Sequence, residues 1–167
     1  HAVDRATIDS KDTVLVIGAG PIGLSAMEFV RLAGARLLVM DMVQSRLDFV
    51  AQTYGLTETI CADGTEADLN KVAELTDNEF CDVVIDATGS DRSMNRSLEF
   101  AAFSGRVVYV GITQGTLSFP HAPLLHRREL SILASRNALS RDFDRIIKEI
   151  EAERINTAPW ITHRMSW

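Results

Sequence analysis

The fold of this 167-residue chain is decided by one stretch, Val14-Leu15-Val16-Ile17-Gly18-Ala19-Gly20-Pro21-Ile22-Gly23. The stretch has the order of a buried strand, a glycine-rich turn and a helix start, which is the context that a G-x-G-x-x-G motif requires. Gly18 allows a tight turn, Gly20 has no Cβ and lets a pyrophosphate approach the backbone, and Gly23 allows the helix to pack closely. Pro21 suits the first helical position, where no N–H is needed. The free N–H groups of the helix start favour phosphate, although a strand-turn-helix without a ligand is the alternative.

The second informative residue is Asp41, which follows the run Arg36-Leu37-Leu38-Val39-Met40 and lies 18 residues beyond Gly23. An acidic residue about 20 positions after the glycine motif accepts hydrogen bonds from the adenosine ribose hydroxyls. The same charge repels the 2′-phosphate of NADP, which needs a nearby cation to bind. Met42 supplies no cation, and the Asp41 carboxylate stands between the 2′-phosphate and Arg46. The sequence therefore predicts NAD rather than NADP. The alternative role of Asp41 is to cap the helix that follows.

Composition and charge narrow the classes of partner. With 46 % hydrophobic and 24 % charged residues, the chain is typical of a globular domain and long enough to bury a core. Its formal net charge of −6 argues against nucleic acid and anionic membranes as partners. No apolar run approaches the roughly 20 residues that cross a bilayer, and the first residues are not a secretory signal. Cys61 and Cys81 lie in or beside apolar runs without a C-x-x-C motif, which predicts buried free thiols and a cytoplasmic location.

Strand and helix patterns alternate along the chain. Such alternation predicts an α/β domain with a doubly wound parallel sheet, the Rossmann fold, with six strands, helices on both faces and right-handed crossovers. The strands are expected at 13–17, 36–41, 59–61, 82–86, 106–110 and 129–134, and the helices at 21–32, 44–54, 66–75, 93–102 and 141–153. The inward side chains are expected to include Ile22, Ala26, Phe29, Val30 and Ala33 of the first helix, and Phe143, Ile146, Ile147 and Ile150 of the last.

The ends of the predicted strands carry the candidate binding residues. In a doubly wound sheet, a ligand binds outside the carboxyl ends of the strands, where the strand order changes direction. Thr88 as a helix cap and Gly111 as a plain turn are simpler roles that remain open. Small or polar groups follow five strands, at residues 18–23, Asp41, residues 87–89, Gly111 with Ile112, and Ser135 with Arg136.

Other catalytic patterns are weak. His121 and His126 flank a short segment, but no cysteine or third ligand accompanies them, so a solvated helix is favoured over a metal site. No Ser-His-Asp or Cys-His arrangement suggests itself. We therefore expect neither a catalytic residue nor a metal ligand in this chain.

Five sequence blocks together resemble a known family. In order and spacing they resemble the coenzyme domain of medium-chain, zinc-type alcohol and polyol dehydrogenases, closest to the branch of sorbitol, threonine and sugar-acid dehydrogenases. The resemblance covers the whole chain, 1–167. The blocks are the stretch 14–23, Met40-Asp41 with Arg46, Asp86-Ala87-Thr88-Gly89, Val108-Tyr109-Val110-Gly111-Ile112 and Trp160-Ile161-Thr162-His163-Arg164-Met165.

The resemblance implies roles for individual residues. Asp41 and Arg46 would hold the adenosine half of the coenzyme, and Ile22 would pack beside the pyrophosphate. Val110, Gly111 and Ile112 would contact the nicotinamide ring. Ser135 and Arg136 would lie near its carboxamide. The complete cofactor-binding set is Gly18, Gly20, Pro21, Ile22, Gly23, Asp41, Arg46, Ala87, Thr88, Val110, Gly111, Ile112, Ser135 and Arg136.

The resemblance also implies an activity. Members of the family bind a catalytic zinc in a separate GroES-like domain that precedes the coenzyme domain. The chain begins at His1 rather than Met, and we expect residues 1–167 to be the NAD-binding domain alone, a fragment without the zinc domain. The intact enzyme would move a hydride between NAD and a secondary alcohol of a polyol, sugar acid or hydroxy amino acid, its small-molecule substrate, with zinc as Lewis acid. The fragment is expected to bind cofactor without turnover.

Two other classes of protein use a similar turn. A regulatory NAD-sensing module, as in potassium-channel gating domains, carries the glycine motif and a later acid. The Val-Gly-Ile and Ser-Arg strand ends argue against it, because a sensor need not position nicotinamide for hydride transfer. A methyltransferase also has a glycine-rich first turn, but the third glycine and Pro21 favour a pyrophosphate.

One further run of sequence, residues 116–120, concerns the association of this chain with a second copy. Residues Thr116-Leu117-Ser118-Phe119 alternate polar and apolar side chains, and Pro120 ends the run. The alternation predicts a short edge strand, and in the family this segment pairs with its two-fold mate. We therefore expect a homo-oligomer, a dimer with an isologous antiparallel contact through residues 116–119. A surface loop with Phe119 folded onto its own core is the alternative.

Overall fold

The structure is a computed structural model that describes residues 1–161 and 163–166. Its strands are β1 (Thr13–Ile17), β2 (Arg36–Asp41), β3 (Thr59–Cys61), β4 (Cys81–Asp86), β5 (Ala101–Tyr109) and β6 (Ser131–Ala134). Within the described residues they form one six-stranded parallel sheet in the order β3-β2-β1-β4-β5-β6. The direction of the strand order reverses between β1 and β4. This is the doubly wound Rossmann topology that the sequence predicts.

Helices and apolar clusters cover both faces of the sheet. Val14 and Val16 of β1 belong to one buried cluster, and Leu15 and Ile17 belong to the other, as the two-residue period of a strand requires. No helix in the described part of the chain is long and apolar enough to cross a membrane. The helices are α1 (Ala2–Arg5), α2 (Pro21–Leu32), α3 (Gln44–Tyr54), α4 (Glu66–Leu75), α5 (Asp91–Arg96) and α6 (Ser140–Glu151), with 3₁₀ turns at Ser97–Phe100 and Ala158–Trp160 and a π-helical turn at His121–His126.

The start of β5 differs from the prediction. A helix was expected at 93–102, but α5 ends at Arg96, a 3₁₀ turn follows, and β5 begins at Ala101. Ala101 pairs with Cys81. Residues 102–105 then form a bulge before the ladder resumes. β6 is shorter than expected and begins at Ser131 instead of residue 129.

The last helix is amphipathic as predicted, but its apolar residues do not face the core. Phe143 is 59 % exposed, and Ile147 and Ile150 are also exposed. The helix contacts α1 through an ion pair, in which Arg145 Nη1 lies 2.7 Å from Asp4 Oδ1. The prediction of inward packing is wrong because periodicity shows which residues share a face, not whether the chain covers that face.

The two cysteines lie in different environments. Cys81, at the start of β4, is buried, and burial raises the pKa of its thiol to about 12. Cys61, at the end of β3, is exposed. The prediction of two buried thiols is therefore wrong for Cys61, because the last side chain of this three-residue edge strand lies outside the core.

The thiols are expected to react at very different rates with an aromatic disulfide reagent at pH 8. Cys61 should react rapidly in the native protein, whereas Cys81 should react only after unfolding, since the thiolate is the nucleophile and burial suppresses it. The measurement is the absorbance of the released thiolate with and without denaturant. Cys61→Ser serves as the control, and a fast phase that persists in this variant contradicts the prediction.

Candidate functional site

The glycine-rich turn joins β1 to α2 at the carboxyl edge of the sheet. Gly18 has φ +99°, a left-handed value that favours glycine, and its amide donates to the Met40 carbonyl at 2.8 Å. Gly20 is the N-cap of α2, and Pro21 opens the helix as predicted. A Cβ on Gly20 would meet no atom within 4 Å. The backbone at Gly20 is therefore open to a ligand.

The third glycine of the motif has a packing role. A Cβ on Gly23 would lie 1.7 Å from the carbonyl oxygen of Gly18, which no side chain permits. This confirms that Gly23 lets α2 approach the turn. Ile22, expected to face inward, is 55 % exposed instead. It lies in the first turn of α2, at the open edge of the sheet where the binding site is predicted.

Asp41 lies at the end of β2 and is only 7 % exposed. Its Oδ2 accepts a hydrogen bond from the Ala19 amide at 2.7 Å, and its Oδ1 accepts one from the Val43 amide at 2.8 Å. Arg46 Nη1 lies 3.5 Å from Oδ2. Because Val43 is the N-cap of α3, the alternative role of Asp41 as its cap is wrong. Each carboxylate oxygen has two lone pairs, so Asp41 retains capacity to accept from a ligand.

A cavity of about 510 Å³ lies along this edge and contacts both the glycine turn and the loop after β4. The structure thus brings together half of the predicted binding residues. Those that line the cavity are Gly18, Gly20, Pro21, Asp41, Arg46, Ala87 and Thr88.

Further residues of the cavity wall were not predicted. Gly64 comes from the connection between β3 and α4, and Asp68 from the first turn of α4. Ser90 comes from the loop after β4, and Arg92 and Arg96 come from α5. Ser90 and Arg92 follow residues 87–89 closely along the chain, so their position after a predicted strand is a signal that marks them. No local signal marks Asp68 and Arg96, which meet across 28 residues of sequence.

Asp86 shapes the loop after β4 from within the core, where it is fully buried. Its Oδ1 accepts hydrogen bonds from the amide and the hydroxyl of Thr88, at 2.9 and 2.7 Å, and its Oδ2 accepts one from the Ser93 hydroxyl at 2.6 Å. Ser90, not Thr88, is the N-cap of α5, so the capping role considered for Thr88 is wrong. Thr88 is held by Asp86 at the cavity wall.

The predicted nicotinamide contacts, residues 110–112 and 135–136, do not line this cavity. A Cβ on Gly111 would lie 2.4 Å from the amide nitrogen of Gly89, so the close approach of two loops requires glycine there. Ile112 is 82 % exposed. The structure therefore gathers most of the residues predicted for the adenosine and pyrophosphate in one cavity and leaves those predicted for nicotinamide outside it.

No donor set for a metal ion is present in the part of the chain that the structure describes. His121 and His126 lie on the π-helical turn with ring centroids 5.9 Å apart. Among residues 1–161 and 163–166, no group of three or more histidine, cysteine, aspartate or glutamate side chains is placed to hold a metal. Zinc does not fit these residues.

Comparison with known proteins decides the family, because residues 21–152 match the family described as zinc-binding dehydrogenases. The chain belongs to this family. It is similar to L-galactonate-5-dehydrogenase of Escherichia coli (strain K12), with 34 % identity over 164 residues, or 98 % of this chain and 47 % of that protein. It is 25 % identical to sorbitol dehydrogenase of Halalkalibacterium halodurans over 166 residues, 98 % of this chain and 48 % of that protein.

A solved structure shows the same fold. Alcohol dehydrogenase TADH from Thermus sp. ATN1 superimposes with a TM-score of 0.82 and 27 % identity, over 92 % of this chain and 44 % of that chain. These relatives confirm the resemblance to the coenzyme domain of zinc-type alcohol and polyol dehydrogenases. The chain spans about half the length of the curated relatives it matches.

Proposed function

We propose that this chain is the coenzyme domain of a zinc-type polyol dehydrogenase and that it binds NAD. The observation that carries the proposal is the placement of Gly20 and Asp41 on one cavity. Gly20 offers an open backbone at a helix N-terminus, which favours a pyrophosphate. Asp41 offers a buried carboxylate that accepts hydrogen bonds from ribose hydroxyls and repels a 2′-phosphate.

The residues of the site divide between the parts of the coenzyme. Gly18, Gly20 and Pro21 bind the pyrophosphate, and Asp41 with Arg46 binds the adenosine ribose. Residues 110–112 and 135–136 orient the nicotinamide. When bound, NAD supplies the site that accepts or donates a hydride, and the chain itself binds and orients it. The names of the two relatives, which refer to L-galactonate and sorbitol, support a secondary alcohol of a sugar acid or polyol as substrate.

We propose that a further domain, N-terminal to this one in a longer protein, supplies the zinc and the substrate pocket. Two observations support it. The chain covers only about half of its relatives, and the apolar face of α6, with Phe143 and Ile147, is exposed. A domain packed on that face would bury it. We therefore expect the chain alone to bind NAD and to turn over no substrate.

Calorimetric titration tests the proposed function. NAD should bind, and NADP should bind more weakly because of the charge of Asp41. At 100 times its dissociation constant, NAD should raise the free energy of unfolding by about 2.7 kcal/mol. A chain that shows neither heat of binding nor stabilisation with NAD overturns the proposal.

We also propose that the protein self-associates through one edge of the sheet. Within a single chain residues 116–119 form no strand, and Leu117 and Phe119 pack against the core. The nearby edge strand β6 pairs with β5 alone among the described strands, and Ile132 on it is 37 % exposed. Pairing of this edge, residues 116–119 and β6, with its two-fold mate is the proposed contact.

Light scattering at high protein concentration tests the assembly. We expect a mass above the 18.4 kDa of a single chain, and a shift toward that value in Ile132→Lys, because a charge at the contact opposes pairing. Ala67→Lys, on the exposed side of α4, is the matched control. A wild-type protein that stays monomeric contradicts the proposal.

We further propose a cytoplasmic location. Cys61 and Cys81 are free thiols, and Cys61 is exposed. An oxidising compartment disfavours an exposed free thiol, so a reducing one is favoured.

A further inference from the structure

The loop that follows β5, residues 111–119, is fixed to α5 at two points. The Thr113 hydroxyl donates a hydrogen bond to Oδ1 of Asp91, the first residue of α5. The Ser118 amide donates one to Oδ1 of Asn95, one turn further along the same helix, at 2.5 Å. We call Asp91 and Asn95 the loop anchors. Their side chains connect two segments that lie more than 20 residues apart in the sequence.

Gly115 brings the loop close to the first anchor. A Cβ on Gly115 would lie 3.0 Å from Cγ of Asp91 and closer still to its Oδ2. The Gly115 amide donates a hydrogen bond to the Thr113 hydroxyl oxygen at 3.0 Å, and the same hydroxyl donates to Asp91. An amide, a hydroxyl and a carboxylate thus form one chain of hydrogen bonds, in which each bond strengthens the next.

The start of the loop is held by the neighbouring loop after β4. The Gly111 amide donates to the Asp86 carbonyl oxygen at 3.0 Å, and a Cβ on Gly89 would lie 3.1 Å from the Ile112 carbonyl oxygen. The backbone of Ile112 is therefore fixed on one side by Asp86 and on the other by the contact with Asp91. Because the Ile112 side chain is 82 % exposed, its position depends on these backbone contacts and not on burial in the core.

The far end of the loop has an apolar attachment of its own. Leu117 and Phe119 pack against the buried cluster on one face of the sheet. Removal of an anchor should therefore loosen residues 112–115 while the rest of the loop and the sheet keep their packing.

We propose, building on the NAD binding proposed above, that Asp91 and Asn95 are positioning residues for the nicotinamide half of the coenzyme. They hold residues 111–115 so that Ile112 is already placed for its proposed contact with the ring. A segment that is ordered before binding loses less conformational freedom on binding, which raises affinity. Neither anchor lines the cavity proposed for the adenosine and pyrophosphate. The anchors should therefore affect NAD but not a ligand that lacks nicotinamide.

Calorimetry with NAD and with ADP-ribose, which lacks nicotinamide, tests this role. Asp91→Ala should weaken NAD by about fivefold to tenfold, the loss expected when one or two more side chains must become ordered on binding, and leave ADP-ribose unchanged. Asp91→Asn should keep most of the affinity for NAD, because its amide oxygen still accepts from the Thr113 hydroxyl. Asp144→Ala removes an exposed aspartate of α6 outside the cavity wall and should change neither affinity.

A second variant breaks the same contact without removing the anchor. In Gly115→Ala the new Cβ would displace the Asp91 carboxylate, so the affinity for NAD should fall selectively although the charge of Asp91 remains. Amide hydrogen exchange in the absence of ligand reports on the loop directly. The Gly115 amide should exchange faster in Asp91→Ala, and the Ser118 amide should exchange faster in Asn95→Ala.

The outcomes separate this role from the proposed function. A wild-type chain that does not bind NAD overturns the proposed function, whereas unchanged affinity for NAD in Asp91→Ala overturns the role of the anchors alone. An equal loss for NAD and ADP-ribose shows that the anchors act on the cavity and contradicts the proposal. So does a loss in Asp91→Asn as large as in Asp91→Ala, which assigns the effect to charge. Because Asp91 is exposed, the thermal midpoints should stay near that of the wild type, and a large fall in Asp91→Ala that accompanies the loss of affinity is evidence against positioning.

Discussion

Gly20→Val is expected to abolish NAD binding while the thermal midpoint stays within a few degrees of the wild type. A Cβ at Gly20 meets no atom within 4 Å, and the residue has φ −79° and ψ −178°, an extended conformation open to any side chain. Loss of glycine from the N-cap should lower the free energy of unfolding by about 1 kcal/mol, which shifts the thermal midpoint of a chain of this size by only a few degrees. The valine would nevertheless occupy the space where a pyrophosphate approaches the backbone. Calorimetry with NAD and thermal unfolding followed by circular dichroism measure the two effects.

The matched control for this prediction is Gly23→Ala, three positions along the same motif. Its Cβ would lie 1.7 Å from the Gly18 carbonyl oxygen, so α2 would have to move away from the turn. Alanine favours a helix interior by about 1 kcal/mol over glycine, yet here it should destabilise the fold strongly. A Gly20→Val variant that binds NAD as the wild type does contradicts the ligand role of the turn. A Gly23→Ala variant of wild-type stability contradicts the packing role.

The sequence predicts the fold where its signals are local. The stretch from Val14 to Gly23 specifies strand, turn and helix within ten residues, and the structure places each at the expected position. The start of β5 depends on a distant contact, the pairing of Ala101 with Cys81, which no pattern around Ala101 reveals. Whether the apolar face of α6 is buried depends on which element packs against it. Phe143 has the right period for burial but has no covering element within the described residues.

The same distinction holds for the candidate site. Asp41 is predictable because its distance along the chain from the glycine turn is set by one helix and one strand. Asp68 and Arg96 are not, because they meet only where α4 and α5, which β4 separates along the chain, come together in the fold. The hydrogen bonds of Asp41 to the amides of Ala19 and Val43 also require the structure. They show that this carboxylate supports the turn as well as offering lone pairs to a ligand.

Asp41→Ala is expected to weaken NAD binding by about ten- to a hundredfold and to narrow the preference for NAD over NADP. Hydrogen bonds to a charged group contribute about 1.5–3 kcal/mol, and the variant removes them together with the repulsion of a 2′-phosphate. It also leaves the amides of Ala19 and Val43 without their acceptor. The free energy of unfolding should therefore fall by about 1–3 kcal/mol. Calorimetry with both cofactors and denaturant unfolding measure these changes.

Asp41→Asn separates charge from hydrogen bonding. The amide retains one acceptor oxygen and the shape of the side chain but has no negative charge. Arg46, whose guanidinium lies 3.5 Å from the Asp41 carboxylate, then loses its partner and becomes available to a 2′-phosphate. If repulsion by Asp41 causes the preference for NAD over NADP, the affinity for NADP should rise in Asp41→Asn as much as in Asp41→Ala. Adding Arg46→Ala to Asp41→Asn should reverse that rise. A wild-type chain that binds NADP as tightly as NAD contradicts the role of Asp41, because the buried carboxylate then has no effect on the choice of cofactor.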